Sequence, residues 1–280
     1  LSGAEEGSVV SIKLASGIKN IRSFHKRRDF ENYRDLVFLL VQKEMKVRYK
    51  DKFLGYLWSI ASPLASALVY FIAFKIVMKV HVEEYPLVLI SGLFPWQWFG
   101  NSIGSSPSFF LGNAWIIKKV NFPTILLPLC SILNHLIHYV ISIPIVVIFL
   151  FVFHRTPTLA WLYGLPALLI IQFLMLYGVS LILATINLFF RDIERLVSIM
   201  MQFLFFLTPI LYDPEMIPEG YRRLITLNPA SPLIISWKEL FLEGKVEPTY
   251  LLISFLYAVF FLILGFLIHR KLSWRFAEIV

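Results

Sequence analysis

The sequence predicts an all-α integral membrane protein. It has six transmembrane helices, an N-terminal interfacial amphipathic helix, and two short re-entrant or interfacial helices on the outer side before the last span. Hydrophobic residues make up 58% of the 280, and mean hydropathy is +0.73. That is more apolar side chain than a soluble domain of this length can hide beneath a polar surface. Several apolar runs reach the ~20 residues that cross a ~30 Å hydrocarbon core as a helix. Lysine and arginine divide unequally between the two ends of those runs, the pattern that orients a membrane chain.

Residues 1–30 are rich in Ser, Lys and Arg and close on "HKRRDF". They read as a flexible cytoplasmic tail and lack the apolar centre of a cleavable signal. Residues 31–280 read as a single membrane domain. The stretch 32–52, "NYRDLVFLLVQKEMKVRYKDK", puts Leu36, Leu40 and Val47 on one helical stripe and Phe38, Met45 and Tyr49 on another, with Lys43 and Lys46 between. An interfacial helix on the inner leaflet fits, as does an ordinary surface helix.

The first span is 54–78, with Lys75 near its far end, where it can snorkel to the headgroups. The second, 87–111, contains Pro95, Pro107, Gly92, Gly100, Gly104 and several serines. It is predicted to be kinked or broken, which neighbouring helices or a wet cavity make tolerable. "GNAWIIKKVNFP" (112–123) then separates it from the third span, 125–153. The fourth is 165–190 and the fifth, shorter, is 196–212. Pro214, Pro218, Pro229, Pro232 and Pro248 cut up the stretch 213–250. It reads as two short helices, 214–227 and 230–243, dipping into the outer interface. The sixth span is 251–268.

Six spans put both termini on one side. That side holds 19 of the 26 lysines and arginines, whereas the 18 acidic residues split ten to eight. Both termini are therefore predicted to be cytoplasmic, and the net charge of +8 needs no nucleic-acid partner. The lone Cys130 excludes an internal disulfide pair. No G-x-x-x-x-G-K-[ST] loop occurs, so the chain has no Walker-type cradle for nucleotide phosphates.

For an enzyme, the carboxylates at Glu83–Glu84 and Asp213/Glu215 look like solvated turn charges, and no nucleophile–base constellation accompanies them. A proton-coupled secondary transporter of a small solute would use ionisable groups at mid-membrane. Here the candidates are His135 and His138, beside Asn134. The same pair reads as polar residues bonded within a bundle, and no third ligand completes a metal site.

The loop at 112–123 has two readings. Lys118 and Lys119 with Trp115 form a topogenic pair at headgroup level, or Trp115 and Ile116 insert into a cytoplasmic partner with the lysines at the rim. Two stripes are candidate channel linings: Ser59, Ser62, Ser66 and Tyr70 on the first span, and Ser198, Gln202, Phe205 and Tyr212 on the fifth. Hydroxyls, an amide and aromatic rings suit sugars, and the same residues also suit helix packing and lipid contact. Trp58, Trp96, Trp98 and Trp161 read as interfacial belt residues.

Six motifs occur in order: "KVRYKDKFLGYLW" (46–58), "SGLFPWQWF" (91–99), "GNAWIIKKVNFP" (112–123), "FFRDIERL" (189–196), "LTPILY" (207–212) and "LNPASPLI" (227–234). Over residues 32–275 the chain resembles the membrane permease subunit of polysaccharide-exporting ABC transporters. This is the O-antigen export group, related to capsule and teichoic acid exporters. The resemblance implies a bacterial inner-membrane homodimer paired with two copies of an ABC ATPase that bind ATP and Mg, with no cofactor held by this chain. It implies that 112–123 is the coupling helix, meeting the ATPase through Trp115, Ile116, Lys118 and Lys119. Lys43, Lys46, Arg48 and Lys50 of the interfacial helix would meet the headgroup of a lipid-linked polysaccharide. The 214–243 helices would form an outer gate with Tyr221, Arg222, Asn228 and Trp237.

Overall fold

The structure is a computed structural model that describes residues 26–49, 57–79, 82–119 and 122–276. Among these residues the regular structure is helical and no strand occurs. In chain order the helices are α1 (Lys26–Tyr49), α2 (Trp58–Phe71), α3 (Tyr85–Ser105), α4 (Phe109–Gly112), α5 (Ala114–Lys119), α6 (Leu126–Val152), α7 (Ala160–Phe189), α8 (Ile193–Leu207), α9 (Glu219–Ile225), α10 (Ala230–Leu242) and α11 (Pro248–Leu272). In lipid a segment must satisfy its own backbone groups, so the long apolar runs have no alternative to helix.

Four segments are long and apolar enough to cross a membrane: Ile60–Val77, Leu126–Val152, Ala160–Phe189 and Pro248–Arg275. α3 has the length, but Gln97, Asn101 and its glycines dilute its apolarity. α8 has 15 residues, about 22 Å at 1.5 Å per residue.

Most boundaries fall within a few residues of the sequence reading, and the departures have local causes. The second span breaks as expected: α3 ends at Ser105, a 3-10 turn (Ser106–Ser108) carries Pro107, and α4 follows. α2 runs into a π-helical turn, Ile72–Val77, after which the Met78 amide bonds to the Ala73 carbonyl. The fifth span stops at Leu207 instead of 212, because Thr208 turns extended and Pro209 cannot continue the ladder. The first outer helix shrinks to a 3-10 turn (Pro214–Met216) and α9. The tail expected over 1–30 ends earlier, since Lys26–Phe30 are helical. Residues 1–25 lie outside the described residues.

The helices run between two poles. At one pole α1, α4, α5, the start of α6 and the ends of α7 and α11 enclose a small core of Leu40, Phe110, Ile116, Leu127, Cys130, Leu188 and Phe276. At the other pole the turn after α2, the α6–α7 turn and the α8–α10 segment meet. There Arg155 pairs with Glu84 at 2.8 Å, and Thr158 Oγ1 donates to the Gly244 carbonyl. The larger core fills the space between. α10 is the main revision of the sequence reading. It is buried on all sides against α3, α7 and α11, not laid in an interface.

α7 and α11 form the tightest pair. A Cβ at Gly178 would lie 2.4 Å from the Leu262 nitrogen, and one at Gly265 would lie 2.4 Å from the Gly178 carbonyl oxygen. The two backbones therefore touch, as small residues permit in membrane bundles. Gly178→Ala should lower the thermal unfolding midpoint in detergent by the equivalent of about 1–3 kcal/mol of overpacking. Gly104→Ala meets open space and should hold or raise the midpoint, because Ala favours helix over Gly. Equal midpoints for the two variants would refute the backbone contact.

Candidate functional site

A half-open cavity of about 380 Å³ lies between α2, α3, α6 and α8. On α2, Ser62, Ser66 and Tyr70 recur every fourth residue and share one face. The Ser66 hydroxyl donates to the Ser62 carbonyl at 3.1 Å. On α3, Gln97 and Asn101 stand one turn apart. On α6, His135, His138, Tyr139 and Ser142 follow the i, i+3, i+4, i+7 spacing of a single helix face. All of these line the cavity, as do Trp58, Trp96, Trp98 and Phe205.

Aromatic rings make its walls. Tyr70 stacks on Phe205 at 5.2 Å, which meets Trp96 at 5.8 Å. Trp98 stacks on Tyr139 at 5.2 Å, and Tyr139 meets Trp237 edge-on. Trp98 Nε1 and Tyr139 Oη are buried without a hydrogen-bond partner among the described residues. Rings with flanking hydroxyls and amides suit a guest that has both apolar faces and hydroxyl edges.

Ser62, Ser66, Tyr70 and Phe205 thus share one cavity. The side chain of Ser59 lies outside the described residues. Ser198 and Gln202 are exposed beside this wall, because Val197, Met201, Leu204 and Phe205 take the inward face of α8. Tyr212 falls beyond the end of α8, off the helical stripe, with its hydroxyl on the Phe206 carbonyl. The belt expectation fails for three tryptophans: Trp96, Trp98 and Trp161 are 6%, 2% and 8% exposed. Trp161 Nε1 is held by the Leu240 carbonyl. Trp58 is exposed and stands at the cavity mouth. Sequence reasoning missed Gln97, Asn101, Tyr139 and Ser142, although their spacing beside the histidines was there to be read.

Behind the cavity, Gln172 of α7 joins three helices. Its Nε2 donates to the Pro95 carbonyl of α3 at 3.0 Å, and its Oε1 accepts from Trp237 Nε1 of α10 at 2.7 Å. Trp237 is therefore a core residue with no exposed surface. Asn228 donates to Thr208 Oγ1 at 2.9 Å and ties the segment before α10 to the end of α8. Tyr221 is exposed, and the side chain of Arg222 lies outside the described residues. Lys238 is buried, with Nζ 2.6 Å from Asp213 and 3.0 Å from the Tyr212 carbonyl. Burial pulls its pKa below the ordinary lysine value, against the opposing pull of Asp213.

At the opposite pole, the Asn113 carbonyl opens α5 by accepting from the Ile116 amide. Trp115 is 42% exposed, and Lys118 and Lys119 are exposed. Ile116 is 4% exposed and packs inside the small core. It fastens the loop from within and is not presented to a partner, because a six-residue helix lying on the bundle must bury one side. Lys43 is half-buried, with its ammonium 5.1 Å from the Trp115 ring centre. Lys46 is exposed. The Arg48 side chain and Lys50 lie outside the described residues.

An all-helical membrane bundle with a polar, aromatic-walled cavity has the build of a transport component. The chain belongs to the ABC-2 type transporter membrane family, whose profile matches residues 35–242. It is 45% identical over 246 residues, 88% of this chain and 95% of the relative, to the O-antigen export system permease protein RfbA of Klebsiella pneumoniae. It is 34% identical over 222 residues to the protein of the same name in Myxococcus xanthus, covering 78% and 85% of the two chains. The polysialic acid transport protein KpsM of Escherichia coli is 23% identical over 228 residues, 79% and 86% of the two chains. The chain is accordingly a multi-pass membrane subunit of an ABC transporter, a transport component and not an enzyme, and the family implies an ABC ATPase partner. Family membership also sets aside proton-coupled transport by His135 and His138, which remain as parts of the cavity wall.

Tyr139→Phe removes only a hydroxyl that has no hydrogen-bond partner among the described residues. Its unfolding midpoint should equal or exceed that of the wild type, the gain being up to about 1 kcal/mol. A clear fall would show that Oη has a structural partner.

Proposed function

We propose that this chain is the channel-forming subunit of an ATP-driven exporter. It moves a lipid-linked polysaccharide of the O-antigen kind from the cytoplasmic side across the bacterial inner membrane. The observation that carries the reading is the 45% identity, spanning 88% of the chain, to an O-antigen export permease. The cavity supports it, since aromatic faces with hydroxyl and amide edges match the two-sided surface of a sugar.

In this reading α2, α3, α6, α7, α8 and α11 make six crossings. The pole carrying α1 and α5 is cytoplasmic, because it holds the excess of lysine and arginine. Two copies face each other with α2 and α8 toward a shared path. Two ATPase subunits bind ATP and Mg, and their closure pushes on Trp115, Lys118 and Lys119. The membrane subunits respond as packed bodies. Lys46 and its basic neighbours on α1 meet the charged headgroup of the lipid carrier. α9 and α10, tied to α8 by Lys238 and Asn228, close the outer end.

Two measurements test this. Co-purification with the candidate ABC ATPase should give a complex that hydrolyses ATP, and the Trp115/Lys118/Lys119 triple alanine variant should lose it. A complex untouched by those substitutions would remove α5 from the docking role. Ser62→Leu combined with Ser66→Leu should cut surface polysaccharide by at least about tenfold, the cost of desolvating sugar hydroxyls against an apolar wall, while the protein accumulates normally. Normal surface polymer would sink the assignment of this cavity to the export path.

A further inference from the structure

Leu40, Lys43 and Glu44 occupy one turn of α1, and each meets a different part of the protein. Leu40 is buried in the same small core as Ile116 of α5 and Cys130 of α6. Lys43 lies over the Trp115 ring at 5.1 Å, within range of a cation–π attraction. Glu44 Oε2 accepts a hydrogen bond from Asn134 Nδ2 of α6 at 3.2 Å. One turn earlier, the Val37 carbonyl accepts the Cys130 thiol at 3.8 Å. α1 is thus gripped by the α5 loop on one side and by α6 on the other.

These contacts differ in kind. Burial is non-directional and lets one helix slide or roll on another. A hydrogen bond to a carboxylate is directional and among the stronger ones. Asn134 has no exposed surface, and its Oδ1 has no partner among the described residues. Its pairing therefore rests on Glu44, and a slip of α1 along α6 would strand a buried amide. The bond fixes the register of the two helices. The next residue of α6, His135, already faces the cavity, with Nε2 3.3 Å from Ser105 Oγ of α3. His138 and Ser142 continue the same wall.

We propose that the Glu44–Asn134 bond is a coupling pin. It ties α1, and through α1 the α5 loop, to the cavity wall on α6. A displacement imposed at Trp115–Lys119 then reaches His135, His138 and Ser142 as a movement of that wall. This rests on the reading that α5 docks on the ATPase. Glu44 and Asn134 are positioning residues, α1 is a lever as well as a membrane-surface helix, and neither residue lines the cavity.

The test uses the full chain assembled with its ATPase and reads ATP hydrolysis of the purified complex separately from polysaccharide at the cell surface. Glu44→Ala and Asn134→Leu should keep ATPase association, with hydrolysis within about twofold of wild type, while surface polymer falls about tenfold. The double variant should lose less than the sum of the two singles, since both remove the Glu44–Asn134 bond. Glu44→Gln keeps the acceptor and should keep export. Wild-type export by Glu44→Ala, additive losses in the double variant, or joint loss of ATPase binding and export would each overturn the pin. Should Asn134→Leu fail to accumulate, Glu44→Ala, on the half-buried partner, decides the matter. A wild-type chain that assembles with no ATPase overturns the underlying reading, and is recognised before any variant is compared.

Discussion

The architecture depends on a place where two helices carry no side chain. At Gly178 and Gly265 the backbones of α7 and α11 come into contact, nearer than any other residue type allows. α7 is the helix against which the rest is assembled: α3, α6, α8, α10 and α11 all pack on it. With α11 drawn in, α10 has two walls to lie between and can bury every face. Without that approach α10 would lose one wall, and the hydrogen bond that Trp237 makes to Gln172 would be exposed to hydrocarbon or water. One missing methylene on each helix therefore decides whether a short re-entrant segment belongs to the core.

Polar groups inside the bundle serve two ends. Gln172, Asn228 and Lys238 are matched by Pro95, Trp237, Thr208, Asp213 and backbone carbonyls. They hold elements together, which a low-dielectric setting makes effective. Ser62, Ser66, Gln97 and Asn101 instead line the cavity. Residue type alone does not separate scaffold from site, since tryptophan appears in both: Trp237 is bonded within the core and Trp98 forms part of the cavity wall.

Much of the fold was legible. Run length located the long helices, because a lipid solvent leaves the backbone little choice. Pro107 announced the break after α3, whereas the stop that Pro209 imposes on α8 was passed over by a span drawn to 212. The depth of α10 was not legible. "ASPLIISWKELFL" carries Lys238 and Glu239, and only the tertiary partner Asp213 makes a buried lysine acceptable. Half of the site was readable from Ser62, Ser66 and Tyr70. The rest was lost by assigning Trp96 and Trp98 to a lipid belt, a choice that composition cannot make: a tryptophan beside a wet cavity and one at a headgroup have the same neighbours in sequence. Ile116 was misplaced for a similar reason. On so short a helix, periodicity cannot tell the side facing a partner from the side facing home.

The π-helical turn at Ile72–Val77 gives α2 an unusual kind of freedom. Such a turn holds more residues than an α-helical turn, and its surplus residue shifts the phase of everything beyond it by about 100°. Upstream, Ser62, Ser66 and Tyr70 keep their common face toward the cavity. Within the turn, Lys75 is placed where its Nζ bonds the Val82 carbonyl at 2.9 Å. In genetic terms a change of length here spares the cavity face and re-aims only what lies beyond Tyr70. A deletion within 72–77 regularises the helix and leaves the serine face in phase, whereas the same deletion between Ser62 and Tyr70 rotates half of that face out of the wall. α2 carries its own spacer, set just past the last residue that the cavity uses.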